Sequence, residues 1–142
     1  MKKEVPYDAA VLIIAVSKDG RIVVVRDPSF KVPYLKLPGG HKEEEESPAE
    51  CASRELKEET GIKIPWTKLF RVSSRKKRGH SKYVYFGIIH SWKTLLKRGN
   101  DGEVVEIFSL DEVLNRKDFL HEHGDILIKA ISCIKRAGVN IT

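Results

Sequence analysis

The sequence contains 142 residues, of which 41% are hydrophobic and 32% are charged, and its net charge at pH 7 is +6. These values fit one globular domain with a core of its own, and they exclude a disordered chain and a small disulfide-stapled scaffold. The positive charge favours an anionic partner, such as a nucleotide, a phosphate ester or a nucleic acid, but does not choose among them.

We expect a single domain over residues 1–142 that is cytoplasmic and has no membrane partner. Cys51 and Cys133 lie far apart and form no CxxC pair, so neither a zinc site nor a disulfide framework is indicated. The apolar run at residues 9–16 is too short for a signal peptide and is followed by a polar turn instead of a cleavage site. No stretch is long enough to span a membrane.

The first elements predicted in chain order are two strands of a hairpin. Residues 9–16 form an apolar run typical of a buried strand, Lys18-Asp19-Gly20 is a turn, and residues 21–26 form the second strand. Residues 27–34 contain two prolines and are predicted to be a loop. A short alternating stretch at residues 34–37 then leads into Pro38-Gly39-Gly40.

A helix is predicted next, with start and stop signals of its own. Ser47 can cap the helix, Pro48 suits its first position, and Glu50 completes a capping box. The helix is expected to run to about Thr60, where Gly61 supplies a left-handed C-terminal stop.

The second half of the chain is predicted to alternate between strands and helices. Strands are expected at residues 68–72 and 82–92 around a basic loop at residues 73–81. A third strand at residues 103–109 precedes a short helix at 111–115 and a closing helix at 125–136, with His121-x-His123 in a surface loop. This mixture predicts an α/β or α+β sandwich.

Three glutamates on the first helix are the chemically informative residues. Glu55, Glu58 and Glu59 stand at positions i, i+3 and i+4, so they share an arc of roughly 100° on one helix face. Like charges at this spacing destabilise an isolated helix, and a hard divalent cation such as Mg²⁺ would offset their repulsion. The alternative interpretation of such a run is an ordinary solvated helix face.

The spacing of the whole segment argues against that alternative. It has Gly40, five residues, Glu46, seven residues, and then Arg-Glu-apolar-x-Glu-Glu-x-Gly-apolar over residues 54–62. Average residue usage makes a chance match in a chain of this length roughly a one-in-ten-million event or rarer. Because every defined position of the Nudix box is present, the sequence resembles the Nudix hydrolase superfamily, in particular its small single-domain nucleotide pyrophosphohydrolases.

The resemblance implies a Nudix-like α/β/α sandwich with a mixed central sheet, in which a loop–helix–loop segment carries the site. It implies that Glu55, Glu58 and Glu59 bind catalytic Mg²⁺, with Mn²⁺ as a possible substitute, and that the backbone carbonyl of Gly39 adds a ligand. The remaining box residues are expected to organise the loop and the helix; they are Glu46, Arg54 and Gly61.

In this family a later glutamate often supplies a further metal ligand or a catalytic base. Glu106 resembles that position most closely, with Glu103 as its rival and Glu112 as a weaker candidate. Glu106 as a plain exposed strand residue is the alternative. The catalytic residues expected from the resemblance are therefore Glu55, Glu58 and Glu106.

Four residues are candidates for substrate binding: Arg26, Gly40, Arg75 and Tyr83. Arg26 ends the second strand and either touches substrate phosphate or is solvated. Arg75 begins a basic run that either grips phosphates or an RNA backbone, or is a solvated hairpin tip. Tyr83 either stacks on a base or belongs to the core.

The function expected from the resemblance is Mg²⁺-dependent hydrolysis of a diphosphate linkage in a nucleoside diphosphate linked to X. Suitable substrates are a nucleoside triphosphate, an oxidised nucleotide or a nucleotide sugar, and one product is a nucleoside monophosphate. The alternatives are an RNA 5′-end pyrophosphohydrolase or decapping enzyme, and a non-catalytic nucleotide-binding regulator. The expected partner is a small nucleotide, with RNA as a second option, and the chain is expected to be a monomer or a homodimer.

Overall fold

The structure is a computed structural model that describes residues 8–141. The strands are β1 (Asp8–Ser17), β2 (Arg21–Arg26), β3 (Leu35–Lys36), β4 (Gly39–His41), β5 (Phe70–Lys77), β6 (His80–Ile89) and β7 (Val104–Ser109). The helices are α1 (Pro48–Thr60), α2 (Leu110–Asn115) and α3 (His121–Arg136), and a 3₁₀ turn covers Trp66–Lys68. None of the helices in the described part of the chain combines the length and the apolar character needed to cross a bilayer.

The strands form one mixed sheet around the long strand β1. The main order is β3-β2-β1-β6-β5, while β4 pairs with β1 and β7 pairs with β2. β1 and β6 run parallel from the pair Asp8–His80 to the pair Ser17–Ile89, and the other pairings are antiparallel. β2 and β4 therefore share one edge of β1, each covering a different part of its length.

Helices cover both faces of the sheet. Cys51, Ala52 and Leu56 of α1 pack with Val11 and Ile13 of β1 on one face. On the other face, residues of α2 and α3 pack with alternate residues of the same strands: Leu12, Ile14, Leu110, Val113, Leu127, Ala130 and Ile134. The predicted α/β/α sandwich with a mixed sheet is confirmed.

The capping signals of α1 are confirmed. The Ser47 side chain accepts from the Glu50 backbone N–H, and the Glu50 carboxylate accepts from the Ser47 N–H. Gly61 ends the helix with φ of 80°, and its N–H donates to the Lys57 carbonyl. The boundaries of α1 could be predicted because both ends are determined by local side chains.

The predicted basic loop at residues 73–81 is wrong, because most of it is the hairpin of β5 and β6. The two-residue turn Arg78-Gly79 has φ values of 50° and 81°, as hairpin turns with two left-handed residues require. β5 is exposed along nearly its whole length, so its sequence shows no apolar alternation. Backbone hydrogen bonds to β6, and not burial of apolar side chains, keep β5 in the sheet.

The prediction that His121-x-His123 lies in a surface loop is also wrong. α3 begins at His121, four residues before the predicted start. The His123 side chain is buried, and its Nδ1 accepts from the Leu37 N–H at 3.0 Å. Leu120 at the helix start provides no side-chain cap, which is why the sequence gives no signal there.

His123 is expected to make the protein less stable as the pH falls from 6.5 to 4. Burial lowers the pKa of His123 to about 4, so the unfolded chain takes up the proton first. The free energy of unfolding present above pH 6.5 is therefore lost through this window, by up to about 3 kcal/mol. Urea denaturation of the wild type and His123→Asn across this range measures the effect, because the asparagine oxygen accepts the same bond without titrating. Parallel pH profiles for the two proteins would contradict it.

Candidate active site

The three glutamates of α1 lie beside the sheet and differ in their exposure to solvent. The Glu59 residue is 7% exposed, and the side chains of Glu55 and Glu58 are 15% and 40% exposed. Leu56, between them in sequence, is fully buried in the core and fixes the rotation of the helix. The docked face of α1 therefore holds two of the carboxyl groups away from solvent and leaves the third at the rim.

Strand β4 approaches these carboxyl groups so closely that a Cβ atom at Gly40 would displace the Glu55 carboxylate. The Gly39 N–H lies 3.3 Å from Glu59 Oε2. A Cβ atom at Gly40 would lie 1.6 Å from Glu55 Oε2, and one at Gly39 would lie 2.1 Å from the Val11 carbonyl oxygen. The two glycines thus bring bare backbone against the buried carboxyl groups, which is the role that close approach gives to glycine.

Burial and mutual repulsion oppose ionisation of the two inner glutamates. Burial, together with the nearby charges of Glu55 and Glu103, raises the pKa of Glu59 to about 8. Burial also raises the pKa of Glu55 to about 7, against the lowering effect of Arg54. Ionising either group costs free energy, because burial removes water from the charge. A cation bound between the two carboxylates would offset that cost.

Arg54 ties the loop before α1 to the helix. Its Nε lies 2.6 Å from Glu46 Oε2, and its Nη2 lies 3.0 Å from Glu46 Oε1. The same guanidinium reaches Glu58 Oε1 at 3.1 Å and the His41 carbonyl at 3.2 Å. The hydrogen bond from Arg54 lowers the pKa of Glu46, so this carboxylate stays charged. Arg54 is positioned to hold the glycine strand, the loop and the helix in one arrangement.

The segment that connects β6 to β7 covers the C-terminal end of α1. The N–H groups of Leu96 and Asn100 donate to the carbonyls of Thr60 and Glu58, each at 2.9 Å. Glu103 follows this segment, is 7% exposed, and contributes to the raised pKa of Glu59. The structure thus brings Glu103 to the inner side of the glutamate group.

Glu106 lies on the other face of the sheet. It pairs with Val24, whose side chain belongs to the core beneath α2 and α3. Residues directly opposite each other in a sheet project to the same face, so Glu106 points away from α1. Its Oε2 lies 2.5 Å from Arg26 Nε, and Arg26 Nη2 lies 2.7 Å from Asp118 Oδ2. The structure therefore joins the candidates Arg26 and Glu106 to each other and not to the three glutamates.

The last two substrate-binding candidates also lie on opposite faces. Tyr83 stacks on Tyr85 with ring centroids 6.5 Å apart, and both pack with the core on the α1 side. Arg75 pairs with Lys82, the residue before Tyr83, so its side chain projects to the α3 side. Sequence reasoning named Glu103 only as the rival of Glu106, because the face to which each glutamate projects depends on strand pairing and not on local sequence.

A ready-made metal site is absent from the described residues. Across residues 8–141, no three histidine, cysteine or carboxylate side chains already stand in an arrangement that would hold a metal ion. Glu58 explains part of this, because its carboxylate is bound to Arg54. Metal binding by the three glutamates stays a prediction, and it requires the Glu58 carboxylate to exchange its hydrogen bond with Arg54 for a bond to the cation.

Comparison with known proteins defines the class to which this fold and site belong. The family model of the NUDIX domain matches residues 6–129. The chain therefore belongs to the NUDIX domain family.

Two curated proteins are similar in sequence to this chain over part of their own length. It is 34% identical over 113 residues to the ADP-ribose pyrophosphatase of Methanocaldococcus jannaschii, covering 75% of this chain and 64% of that protein. It is 27% identical over 110 residues to diphosphoinositol polyphosphate phosphohydrolase 2 of Rattus norvegicus, covering 75% of this chain and 61% of that protein. The chain thus spans less than two thirds of the length of these curated relatives.

Solved structures agree with the fold. A MutT/nudix family protein from Enterococcus faecalis superimposes with a TM-score of 0.72 at 19% identity, over 96% of this chain and 65% of that one. A NUDIX family hydrolase from Clostridium perfringens gives a TM-score of 0.73 at 17% identity, over 92% of this chain and 99% of that one. At these identities the likeness concerns the fold alone.

Proposed function

We propose that this chain hydrolyses a diphosphate linkage with the help of Mg²⁺. The observation that carries the proposal is that the buried Glu59 and the partly buried Glu55 lie together against the bare backbone of Gly39 and Gly40. The donor set fits a hard cation, because carboxylate oxygens are the ligands that Mg²⁺ and Mn²⁺ prefer. The rim position of Glu58 leaves that side of the site open to a substrate phosphate.

The residues would divide the work as follows. Glu55, Glu58 and Glu59 would hold the cation, with the Gly39 carbonyl as a further oxygen donor. When bound, the ion neutralises phosphate oxygens and acidifies a water molecule. Glu55 or Glu103 would take the proton of the attacking water, whose oxygen bonds to phosphorus as the bridging P–O bond breaks. The products are a monophosphate and a phosphorylated second fragment, or pyrophosphate when the substrate is a triphosphate.

The proposed substrate is a nucleoside diphosphate linked to X. The names of both relatives support this reaction class, since an ADP-ribose pyrophosphatase and a diphosphoinositol polyphosphate phosphohydrolase each act on a diphosphate group. The chain's positive charge favours such anionic substrates.

Incubation with Mg²⁺ and a panel of diphosphate compounds tests the proposal. The panel contains nucleoside triphosphates, an oxidised nucleotide, ADP-ribose and a diphosphoinositol phosphate, with products identified by mass spectrometry. We expect cleavage at a phosphoanhydride bond that stops in EDTA and resumes with Mg²⁺ or Mn²⁺. Failure to cleave any member, in protein shown to be folded by circular dichroism, would refute it.

Glu103, and not Glu106, is expected to be the later glutamate of the site. Glu103 is buried and contributes to the raised pKa of Glu59, whereas Glu106 is bound to Arg26 on the opposite face. Glu103→Gln should weaken Mn²⁺ binding, followed by electron paramagnetic resonance, by about tenfold or more. Glu106→Gln is the matched control and should change it less than about twofold. If Glu106→Gln weakened Mn²⁺ binding more than Glu103→Gln did, Glu106 would be the later glutamate of the site.

A further inference from the structure

Strand β5 forms one edge of the sheet, and within residues 8–141 only β6 pairs with it. Outside that pairing, no backbone hydrogen bond of the described residues involves residues 70–77. Seven of the eight residues of β5 are exposed, and Val72 is the exception. A long strand with an open edge can pair with an extended segment of another chain.

The opposite edge of the sheet is covered where β7 begins. Val104 pairs with Arg26 of β2 on one side and forms a bridge with Arg98 on the other. The next N–H along β7, that of Val105, donates to the Lys97 carbonyl at 3.0 Å. The chain therefore covers part of one sheet edge with its own backbone, whereas the described residues leave the outer edge of β5 open.

The open edge carries positive charge only. Residues 70–78 contain five basic residues and no acidic one: Arg71, Arg75, Lys76, Lys77 and Arg78. Pairing with β6 places Arg71 and Lys76 on the α1 face of the sheet. The same pairing places Arg75 and Lys77 on the α3 face. A strand that lies beside β5 therefore meets basic side chains on both of its faces.

This charge distribution argues against a second copy of the chain on β5. Edge-to-edge pairing of two β5 strands would bring the five basic residues of one copy against the same five of the other. Like charges opposite each other destabilise a sheet, and basic residues on an edge strand prevent self-association for this reason. Opposite charges across a strand pair are favourable, so the edge suits a segment that carries carboxylates.

The first residues of β5 offer an apolar surface instead. Phe70 is 58% exposed, and it borders a hollow of about 520 Å³. Ile64 and Pro65 supply apolar walls, Lys63 and Lys68 lie at the same hollow, and no acidic residue lines it. An apolar side chain of an added strand would be removed from water beside Phe70, which contributes favourable free energy.

From these features we propose that β5 binds an extended segment of a partner protein, antiparallel to β5, whose first half is acidic and whose second half is apolar. The segment adds one strand to the sheet, and its backbone pairs with the open edge of β5. Its carboxylates lie beside Arg75, Lys76 and Lys77, and its apolar residues reach the hollow beside Phe70. Antiparallel pairing is the more stable arrangement and determines which half is acidic. This interaction goes beyond the proposed hydrolysis and does not depend on it.

Fluorescence anisotropy with a labelled peptide as long as β5 tests this surface. The peptide has the sequence Glu-Glu-Glu-Thr-Thr-Val-Thr-Val, and we expect it to bind at least about tenfold more tightly than the same peptide with lysine in place of glutamate. Two further isomers carry backbone N-methyl groups at the odd or at the even positions. Because one edge of the peptide faces β5, one isomer should lose binding and the other should retain it. Equal binding of both isomers would show that charge alone holds the peptide and would overturn the inference.

Charge reversal on the protein provides the matched comparison. Arg75→Glu/Lys76→Glu should weaken peptide binding by at least about tenfold. Lys135→Glu/Arg136→Glu makes the same change of net charge at exposed positions near the end of α3, and should stay within about twofold because salt screens distant charges. Circular dichroism checks that both variants are folded. Equal weakening in the two variants would mean that net charge and not β5 attracts the peptide, and would also overturn the inference.

Hydrogen–deuterium exchange locates the bound peptide. Binding should slow exchange of backbone amides in residues 70–77, while the amides of β6 that already pair with β5 and β1 change little. Protection confined to another part of the chain would contradict the proposal. Displacement of the peptide by oligouridine that binds at least about tenfold more tightly would make nucleic acid the partner. A dimer detected by analytical ultracentrifugation, with residues 70–77 protected in the free protein, would make a second copy the occupant.

Discussion

Glu59→Gln is expected to remove nearly all turnover while making the metal-free protein more stable at alkaline pH. The substitution deletes a charge from the deepest of the three carboxyl groups, so the loss of turnover should be roughly 10²–10³-fold. A structural residue would behave differently, because replacing it would lower activity and stability together. The combination of lower activity and higher stability identifies a group held in an unfavourable environment for the sake of a ligand.

The raised pKa of Glu59 determines whether ionisation of this group stabilises or destabilises the folded protein. The pKa of Glu59 is about 8 in the folded protein and near 4.5 in an unfolded chain, so the unfolded state ionises first as the pH rises. Stability that is fully present below pH 4.5 is therefore lost by pH 8, by roughly 2–4 kcal/mol for this group. Glu59→Gln should recover most of that loss at pH 8 and nothing at pH 4.

Urea denaturation in EDTA at the two pH values, with turnover measured in Mg²⁺, tests this expectation. Glu58→Gln is the matched control, because the Glu58 side chain is 40% exposed and its removal should reduce turnover without the gain in stability. Wild-type turnover in Glu59→Gln would require a different metal assignment. A variant that is less stable than the wild type at pH 8 would show that burial of the charge is not what raises the pKa.

Arg54→Met is expected to lower both stability and turnover, for a separate reason. It removes the two hydrogen bonds to Glu46, whose side chain is only 13% exposed, and leaves that carboxylate largely uncompensated. The free energy of unfolding should fall by about 2 kcal/mol, since the guanidinium is itself 24% exposed and partly solvated. Turnover should fall as well, because the His41 carbonyl and Glu58 lose their shared donor.

A second substitution separates these two effects. In Arg54→Met/Glu46→Gln the unpaired charge is gone, so most of the lost stability should return, while turnover should stay low. Arg54→Lys retains the charge but cannot reach Glu46 with two parallel bonds, and should fall between the wild type and Arg54→Met. Thermal denaturation and turnover of the four proteins provide the measurement. If the double variant regained no stability, an uncompensated Glu46 would not be the cause.

The parts of the site that could be predicted from the sequence are those determined by neighbouring residues. The capping box at Ser47 and the stop at Gly61 act within one turn of α1, so the helix that carries the glutamates was predicted with both boundaries correct. The spacing of Glu55, Glu58 and Glu59 follows from helix periodicity alone. These features need no knowledge of the rest of the fold.

The parts that could not be predicted depend on pairing between distant strands. Whether Glu103 or Glu106 approaches α1 is decided by the register of β7 against β2, in which Glu106 lies opposite Val24. A shift of one residue would exchange the faces, and nothing local to residues 103–109 determines that register. The burial of His123 likewise depends on a backbone N–H of Leu37, contributed from far away in the chain.

The parallel pairing of β1 with β6 also determines when the site can assemble during folding. A parallel pair needs a crossover connection, and here the entire loop–helix–loop segment lies inside it, between Ser17 and His80. Closing so long a loop carries an entropic penalty before its contacts form, which places this domain among the slower folders of its size. During synthesis on a ribosome, α1 would emerge before the β6 strand of its docking sheet exists. Glu59 would then stay hydrated on the side of Glu103 until the segment after β6 covers the C-terminal end of α1.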